Sequence, residues 1–437
     1  MPFDNEDLPT LSEAVRPPLI HGAAALSGCA YAGADLNGLL GRLGTSRPRQ
    51  ANPYTPPRRD PAWLFDASVV YQLGFRRAEA LELQREALAQ STLYRVASQS
   101  HRRNKLRVMA ICAPGDLMVN TPLDFITNEL NVRLDLLFIG SDAPLPKVIP
   151  DHDVAFFAVS EAGPDLLHRL QQLYAMWPRP VLNDPAYLPG LARDTLAHAL
   201  ADAPGICSPN AVLVERDDLD RYVRGRRPIP GFAAPPDMYP CLIRPSKSHA
   251  GHGLSHLACD ADLYAYLRLA QASHFYLTEF EDYRDTDNFY RKLRVAFIDR
   301  RPYLCHMAIS QHWMVHYLNA GMTESAAKRA MEAEAMASFD TGFARRHAAA
   351  FAALHERLGF DYYAIDCAET RDGRLLVFEA DTAAIIHLMD PPDLFPYKPS
   401  QMHHVFNAFG AMLERRATPA DPVSAPAAHR IAEAVPA

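Results

Sequence analysis

DYYAIDCAETRDGRLLVFEAD, residues 361–381, is the stretch on which the fold of this chain turns. Two apolar runs flank Asp372-Gly373, a dipeptide favoured in tight hairpin turns. The pattern predicts a β-hairpin with Asp366 on its first strand and Glu379 and Asp381 on its second. Glu379 and Asp381 are two residues apart, so they share one face of the strand. The turn brings Asp366 across from them. Three carboxylates on one side of a hairpin repel one another unless something balances them. A hard divalent cation is one answer, because magnesium takes oxygen ligands and completes its shell with phosphate. A solvated acidic face is the other. Apolar residues precede the acids in LLVFEAD and follow them in AAIIHLM, which argues against full exposure.

Upstream, YPCLIRPSKSHAGHG at 239–253 reads as a strand followed by a loop of small residues. Ser246, Ser248, Gly251 and Gly253 permit close backbone approach and a nest of amide donors suited to phosphate. Arg244 ends the strand with a permanent positive charge. A plain inter-strand turn has the same appearance. The loop lacks the Gly-Lys-Ser/Thr of a P-loop and the glycine fingerprint of a dinucleotide fold. HFYLTEFE is a further strand, containing Thr278, Glu279 and Phe280. FYRKLRVAFIDRRPYLCHMAIS is a second hairpin, with its turn near Asp299 to Pro302. Arg291 and Arg294 are three apart on one strand, so they point to opposite faces and only one of them faces a site. Arg291 and Lys292 also fit edge or surface positions. Helices are expected over ESAAKRAMEAEAMASF and over FARRHAAAFAALHERLG, the latter ending at Gly359.

The N-terminal half is organised differently. Residues 1–60 read as a mostly irregular arm, rich in Gly and Pro, with room for one short helix in GAAALSGCAYAGADLNGLLGRL. PAWLFDASVVYQLGF and RRAEALELQREALAQSTLYRVA read as two helices broken at Gly74, a hairpin over 61–96 that looks like one tetratricopeptide-type unit. A single unit has no solenoid neighbour, so it packs on the rest of the chain or on a second copy. From 104 to 190, LRVMAICAPG, VRLDLLFIG, DHDVAFFAVS and PRPVLNDP read as strands, with PDLLHRLQQLYAMW as an amphipathic helix. Strands alternating with helices predict an open α/β sheet. ARDTLAHALAD is a helix that includes Arg193, and residues 417–437 read as a flexible tail rich in Ala and Pro.

Taken together, and in this order, these pieces resemble the ATP-grasp superfamily, in the branch of the ribosomal-protein glutamate ligases. The resemblance spans about 104–413. It implies an α/β class with a pre-ATP-grasp domain at 104–190 and central and C-terminal lobes at 191–416. NDP at 183–185 resembles the asparagine-containing loop of the family, and PGICSPN at 204–210 its approach to the central strands. By the resemblance, Arg193, Arg244, Ser246, Ser248, Gly251 and Gly253 bind nucleotide phosphates, while Thr278, Glu279 and Phe280 form the adenine hinge. Asp366, Glu379 and Asp381 hold magnesium, and Arg294 and Arg244 stabilise the transferring phosphoryl group. The family usually has lysine where Arg244 stands, lysine near Thr195, and asparagine where Asp381 stands. The implied cofactors are ATP and Mg2+. The implied activity is activation of a carboxylate as an acyl phosphate for attack by an amine. Kinase-like phosphoryl transfer and a non-catalytic nucleotide-binding scaffold are the alternatives. SQHWMVHYLNAG at 310–321 carries His312, Trp313, His316 and Asn319 beside the expected cleft, and His387 lies just past the acidic hairpin. His316 or His387 would accept the proton of the attacking amine, unless both are structural.

Composition bounds the rest. A formal charge of −7 over 437 residues excludes a globally basic nucleic-acid binder, although Arg102, Arg103, Lys105 and Arg107 form a local basic patch. The seven cysteines have no zinc-finger spacing and no disulfide-scaffold pattern, which fits a reducing compartment. The acidic start MPFDNEDLPTL lacks the features of a secretory signal, and no run is long enough to cross a bilayer. The expectation is a cytoplasmic protein.

Overall fold

The computed structural model describes residues 8–45, 60–98, 100, 102, 105–225, 227–233, 238–248 and 251–418. It is a mixed α/β fold. The first half contains β1 (Thr10–Ser12), β2 (Leu19–Ile20), α1 (Ala23–Tyr31), α2 (Leu36–Thr45), α3 (Pro61–Leu73), α4 (Arg77–Gln90), β3 (Leu93–Val96), β4 (Leu106–Cys112), α5 (Leu123–Thr127), β5 (Val132–Phe138), β6 (Val148–Pro150), β7 (Val154–Phe157), α6 (Pro164–Met176) and β8 (Val181–Leu182). Six of the strands make one sheet in the order β2-β3-β5-β4-β7-β8, parallel except where β3 meets β5. The apolar run LRVMAIC becomes β4, which is flanked on both sides and covered on both faces, as buried parallel strands are. Met109, Ile111 and Phe157 share a core with α6, whereas Val108, Ala110 and Phe156 lie in a second core formed with the N-terminal helices and with Phe409 near the C-terminus.

Two N-terminal expectations are corrected. Within the described part of the 1–60 segment, more is helical than the one short helix expected. Residues 23–45 hold two helices, and Leu26, Leu39 and Leu43 are buried in the core that they share with the sheet. The density of Gly hid this, because the signal rests on a few leucines spaced among small residues. The second helix of the 61–96 hairpin ends at Gln90, and LYRV then joins the sheet as β3. Its β-branched and aromatic residues favour the strand, and buried Tyr94 donates from its hydroxyl to the Ala87 carbonyl at 2.9 Å. The hairpin buries Leu64, Phe65, Val69 and Val70 in the core beside this sheet. Arg107, in the local basic patch, is neutralised by Glu13, Asp151 and Asp153. Arg103 and the tail from 419 onward lie outside the described residues.

The second half contains α7 (Arg193–Leu200), β9 (Ile206–Cys207), β10 (Ala211–Glu215), α8 (Arg216–Gly225), β11 (Cys241–Pro245), β12 (Ser255–Leu257), α9 (Asp260–Leu269), β13 (His274–Glu279), β14 (Tyr290–Ile298), β15 (Arg301–Ser310), α10 (Ala326–Ser338), α11 (Phe343–Arg346), α12 (Ala348–Leu358), β16 (Tyr362–Glu369), β17 (Leu375–Asp381) and α13 (Lys398–Ala417). One sheet has the order β10-β13-β11-β12 and packs on α8 and α9 through Leu219, Tyr222, Leu263 and Leu267. The other has the order β15-β14-β16-β17-β9. The helix expected over 343–358 is interrupted at His347.

Asn183, in the loop after β8, ties the first half to the second. Its side chain donates to the Tyr362 carbonyl and accepts from the Tyr362 amide, both at 2.8 Å, while its own amide donates to Asp361 at 2.8 Å. Asn183 is 1% exposed and adopts φ 60, a left-handed conformation that asparagine tolerates better than most residues. The start of β16, and so the register of the acidic hairpin, is fixed against the N-terminal sheet.

Candidate active site

The site is built on one row of the five-stranded sheet. Asp366 on β16 is the direct partner of Glu379 on β17 and of Arg294 on β14, and Arg294 is the partner of His306 on β15. Direct cross-strand partners share a face, so His306, Arg294, Asp366 and Glu379 run in a line across four strands. The pairing slips by one residue next to this row on both flanks, leaving Cys305 and Phe378 as the extra residues. Such bulges re-aim neighbouring side chains and recur beside active sites. Farther along the same face, Ala296, Ile298, Tyr362 and Ala364 are apolar and buried. The face therefore changes from core to ionic between Ala296 and Arg294.

The acids come together as expected, but cations of the chain already balance them. Arg294 grips Asp366 with two prongs, Nε to Oδ1 at 2.8 Å and Nη2 to Oδ2 at 3.1 Å, and Lys292 Nζ adds a contact to Oδ2 at 2.8 Å. Burial raises the Asp366 carboxyl pKa, yet Arg294 and Lys292 outweigh burial and hold it well below the usual carboxylate range. Arg193, at the first position of α7, pairs with Glu379 Oε2 and donates to the Phe378 carbonyl at 3.3 Å. Burial opposes ionisation of Glu379 as well, and Arg193 and Lys292 again prevail. Asp381 differs. Among the described residues it accepts only from the Ala383 amide, at 2.7 Å, and burial together with the charge of Glu379 pushes its pKa up to about 6.

Charge balance thus does not demand a divalent ion, and among the described residues no group of three His, Cys, Asp or Glu side chains is set to hold one. Asp366 has both oxygens engaged and serves as the anchor of Arg294 and Lys292. Lys292, which also fitted an edge position by sequence, is in the site. The signal was present: Lys292 and Arg294 are two apart, so they share a face.

Arg244 is the penultimate residue of β11 and is 9% exposed. Its Nε donates to the Ser248 hydroxyl at 3.2 Å and its Nη2 to the Ser248 carbonyl. Among the described residues it has no carboxylate within ion-pair distance. Burial, and then the neighbouring charge of Arg193, bring its pKa down to about 10, with Glu379 partly offsetting them. Ser246 donates its amide to the His274 carbonyl at 3.0 Å, and the Ser248 hydroxyl donates to the Pro245 carbonyl at 2.8 Å. Gly251 and Gly253 both have positive φ, and a β-carbon on Gly253 would lie 2.8 Å from Pro245 Cδ. Ser248 and Gly253 are therefore packed closely against the end of β11.

Two backbone amides of the expected adenine hinge are already paired within the chain. Thr278 lies in the ladder between β10 and β11. The Glu279 amide donates to the Asn210 carbonyl at 2.9 Å and the Phe280 amide to the Pro240 carbonyl at 3.3 Å. Neither amide is free to meet a base. Phe280 instead contributes its ring, which lies against His256 and Trp313 with centroids 4.7 and 5.9 Å away. Trp313 belongs to the 310–321 segment, so that segment does border the loop lobe.

The two candidate proton acceptors separate. The half-buried His316 lies within the field of the ionic row, and burial followed by Lys292 and Arg294 keeps its pKa below the ordinary value. His387 Nδ1 accepts from the Met389 amide at 3.2 Å. Its ring proton is then on Nε2, which makes neutral His387 a donor rather than a base. His306, which sequence reading passed over, completes the row.

No family model matches the chain, and no curated protein matches it. Solved structures do. A D-alanine–D-alanine ligase from Bacillus anthracis in complex with ATP has TM-score 0.42 and 13% identity, covering 71% of this chain and 96% of that one. The VanG D-Ala:D-Ser ligase from Enterococcus faecalis has TM-score 0.43 and 14% identity over 72% and 100% of the two chains. A RimK domain ATP-grasp protein from Sphaerobacter thermophilus has TM-score 0.38 and 16% identity over 70% and 99%. These are distant likenesses, and the functional reading rests on the side chains described above. No helix among the described residues is long and apolar enough to cross a membrane.

Proposed function

We propose that this chain is an ATP-dependent ligase of the ATP-grasp type, which activates a carboxylate as an acyl phosphate for capture by an amine. The observation that carries the reading is Arg244. A buried guanidinium without a carboxylate is unfavourable unless an anion from outside completes it. Its fork suits phosphate oxygens, and Arg193 adds a second positive charge beside it. The tight glycine loop and the ionic row flank the same point.

Magnesium fits two of the three acids. Glu379 Oε1 and Asp381 Oδ2 have no partner among the described residues, so Glu379 and Asp381 would hold the ion, one or two carboxylates plus phosphate being its usual ligation. When bound, magnesium supplies neutralisation of the charge that spreads over the transferring phosphoryl group. In the reaction, an oxygen of the substrate carboxylate attacks the γ-phosphorus and ADP leaves. The amine nitrogen then attacks the acyl carbon, inorganic phosphate leaves, and His316 takes the amine proton. Arg193 and Arg244 hold the phosphate oxygens. Asp366 keeps Arg294 and Lys292 rigid, so their charge needs no reorganisation as the transition state forms. The loop from Ser246 to Gly253 would exclude water from an intermediate that water destroys.

The test is product identification. The protein is incubated with ATP, magnesium and fractionated metabolite extracts. ADP, free phosphate and a new mass equal to two extract components less one water support the ligase. ADP with a stable phosphorylated alcohol and no amide overturns it in favour of phosphoryl transfer.

A further inference from the structure

Behind the ionic row lies a second, largely internal set of charges that the reaction does not use. Lys398, the first residue of α13, is 2% exposed, and Glu332 on α10 is 0% exposed. Lys398 Nζ contacts Asp390 Oδ2 at 2.7 Å, Glu332 Oε1 at 3.4 Å and the Tyr317 hydroxyl. It also sits over the rings of Tyr317 and Phe395, at 4.2 and 4.7 Å. Glu332 accepts from the Met307 amide at 3.0 Å, the Tyr317 hydroxyl at 3.2 Å and the Tyr397 hydroxyl at 2.6 Å.

Two segments that border the site meet at this ammonium. One follows β15 and carries His316 and Tyr317. The other follows Asp381 and ends at Asp390. Each is also fastened to the ionic row. The Tyr317 ring packs on His306 with centroids 4.8 Å apart, and His306 is the cross-strand partner of Arg294. Arg294 Nη1 donates to the Ile385 carbonyl at 3.3 Å. A buried cluster of this kind adds little stability over a well-packed apolar one, so its value lies in holding one geometry. We propose that Lys398 is a positioning residue of the same site: with Glu332 it sets Tyr317 against His306 and the 385–390 segment against Arg294, and so fixes the wall facing the acceptor substrate. This rests on the ligase reading for what the wall is for, but not for its existence.

The experiment uses the full chain with 15N-labelled histidine. The ring signals of His306 and His316 are assigned by His306→Gln and His316→Gln and followed in two variants. Lys398→Met with Glu332→Gln and Asp390→Asn removes every charge of the cluster while keeping its shape. Tyr317→Phe keeps the ring and removes only the hydroxyl that joins Lys398 to Glu332, so it decides the matter should the triple variant fail to fold. Displaced His306 and His316 signals, with cooperative unfolding and unchanged MgATP affinity, are expected in both. A purely structural cluster would lower the melting temperature and leave those signals in place, and wild-type histidine signals in the folded variants overturn the proposal. If the wild-type protein does not bind MgATP, the nucleotide reading falls, while the histidine signals still decide this inference.

Discussion

Arg294 and Asp366 are direct cross-strand partners joined by a two-pronged contact at 2.8 and 3.1 Å, and that pair is the fixed point of the site. Lys292 reinforces it, and Glu379 and His306 extend it to either side. Removing one partner leaves a buried, partly uncompensated charge. Arg294→Met is therefore expected to lower stability by about 3 kcal/mol, measured by denaturant unfolding. Arg294→Met with Asp366→Asn is expected to recover most of that loss and to remain without ATP turnover. A double variant with wild-type turnover would place the pair outside the chemistry.

Glu379 tests the metal assignment. Glu379→Gln keeps an oxygen for Arg193 and removes the charge that magnesium needs. We expect the fold and part of the nucleotide binding to survive, and turnover to drop by roughly a hundredfold. Turnover followed across a magnesium titration, beside thermal unfolding, reads both. Near-wild-type turnover at ordinary magnesium would remove Glu379 from the metal site.

The loop is tested at Gly253. Its φ is +68, and an added β-carbon would meet Pro245 Cδ at 2.8 Å and Cγ at 3.0 Å. Left-handed backbone costs an L-residue roughly 1–2 kcal/mol, before any clash is counted. Gly253→Ala is expected to loosen the loop from Arg244 and Tyr266, which donates from its hydroxyl to the Gly253 carbonyl at 2.7 Å. Faster proteolytic nicking within the loop, relieved by MgATP, is the expected result. An unchanged cleavage pattern would show that the tight turn is dispensable.

Many of the strands and both hairpins could be read from the sequence, because apolar runs and the Asp-Gly turn are local signals. Asp366, Glu379 and Asp381 are legible as one cluster for the same reason, whereas Arg294 joins them only through the family resemblance. What the sequence hid was non-local. Whether Asp366 meets a metal or a guanidinium depends on which strand lies beside β16, and nothing near residue 366 reports that. The same holds for the amides of Glu279 and Phe280, which are taken by Asn210 and Pro240 from other segments. His306 went unnoticed because a single histidine in an apolar run has no periodic signal. Its importance comes only from its register with Arg294.

His152 contributes to the pH dependence of the fold. It is fully buried, with Nδ1 3.0 Å from the Pro150 carbonyl and Nε2 accepting from the Trp177 indole at 2.9 Å, an arrangement that suits only the neutral ring. Burial lowers its pKa from the ordinary 6.5, so the unfolded chain takes up the proton first. The stability it contributes is complete above 6.5 and is lost as pH falls below that toward the depressed folded value. Denaturant unfolding at stepped pH is expected to show a shallower acid-side slope for His152→Gln than for the wild type. Equal slopes would mean that His152 is not the titrating group.

The nucleotide site itself is read most directly by calorimetric titration of ATP into the folded full chain, with and without magnesium, for the wild type and for Arg244→Met. Arg244 is buried with no carboxylate partner among the described residues, so the substitution is expected to leave stability equal or higher. Loss of charge-assisted bonds to phosphate should weaken binding by roughly tenfold to a hundredfold. Magnesium-dependent binding to the wild type, weakened by that much in Arg244→Met, is the predicted result. A folded wild-type chain that takes up no ATP, or an Arg244→Met variant that binds it as tightly as the wild type, would contradict the assignment.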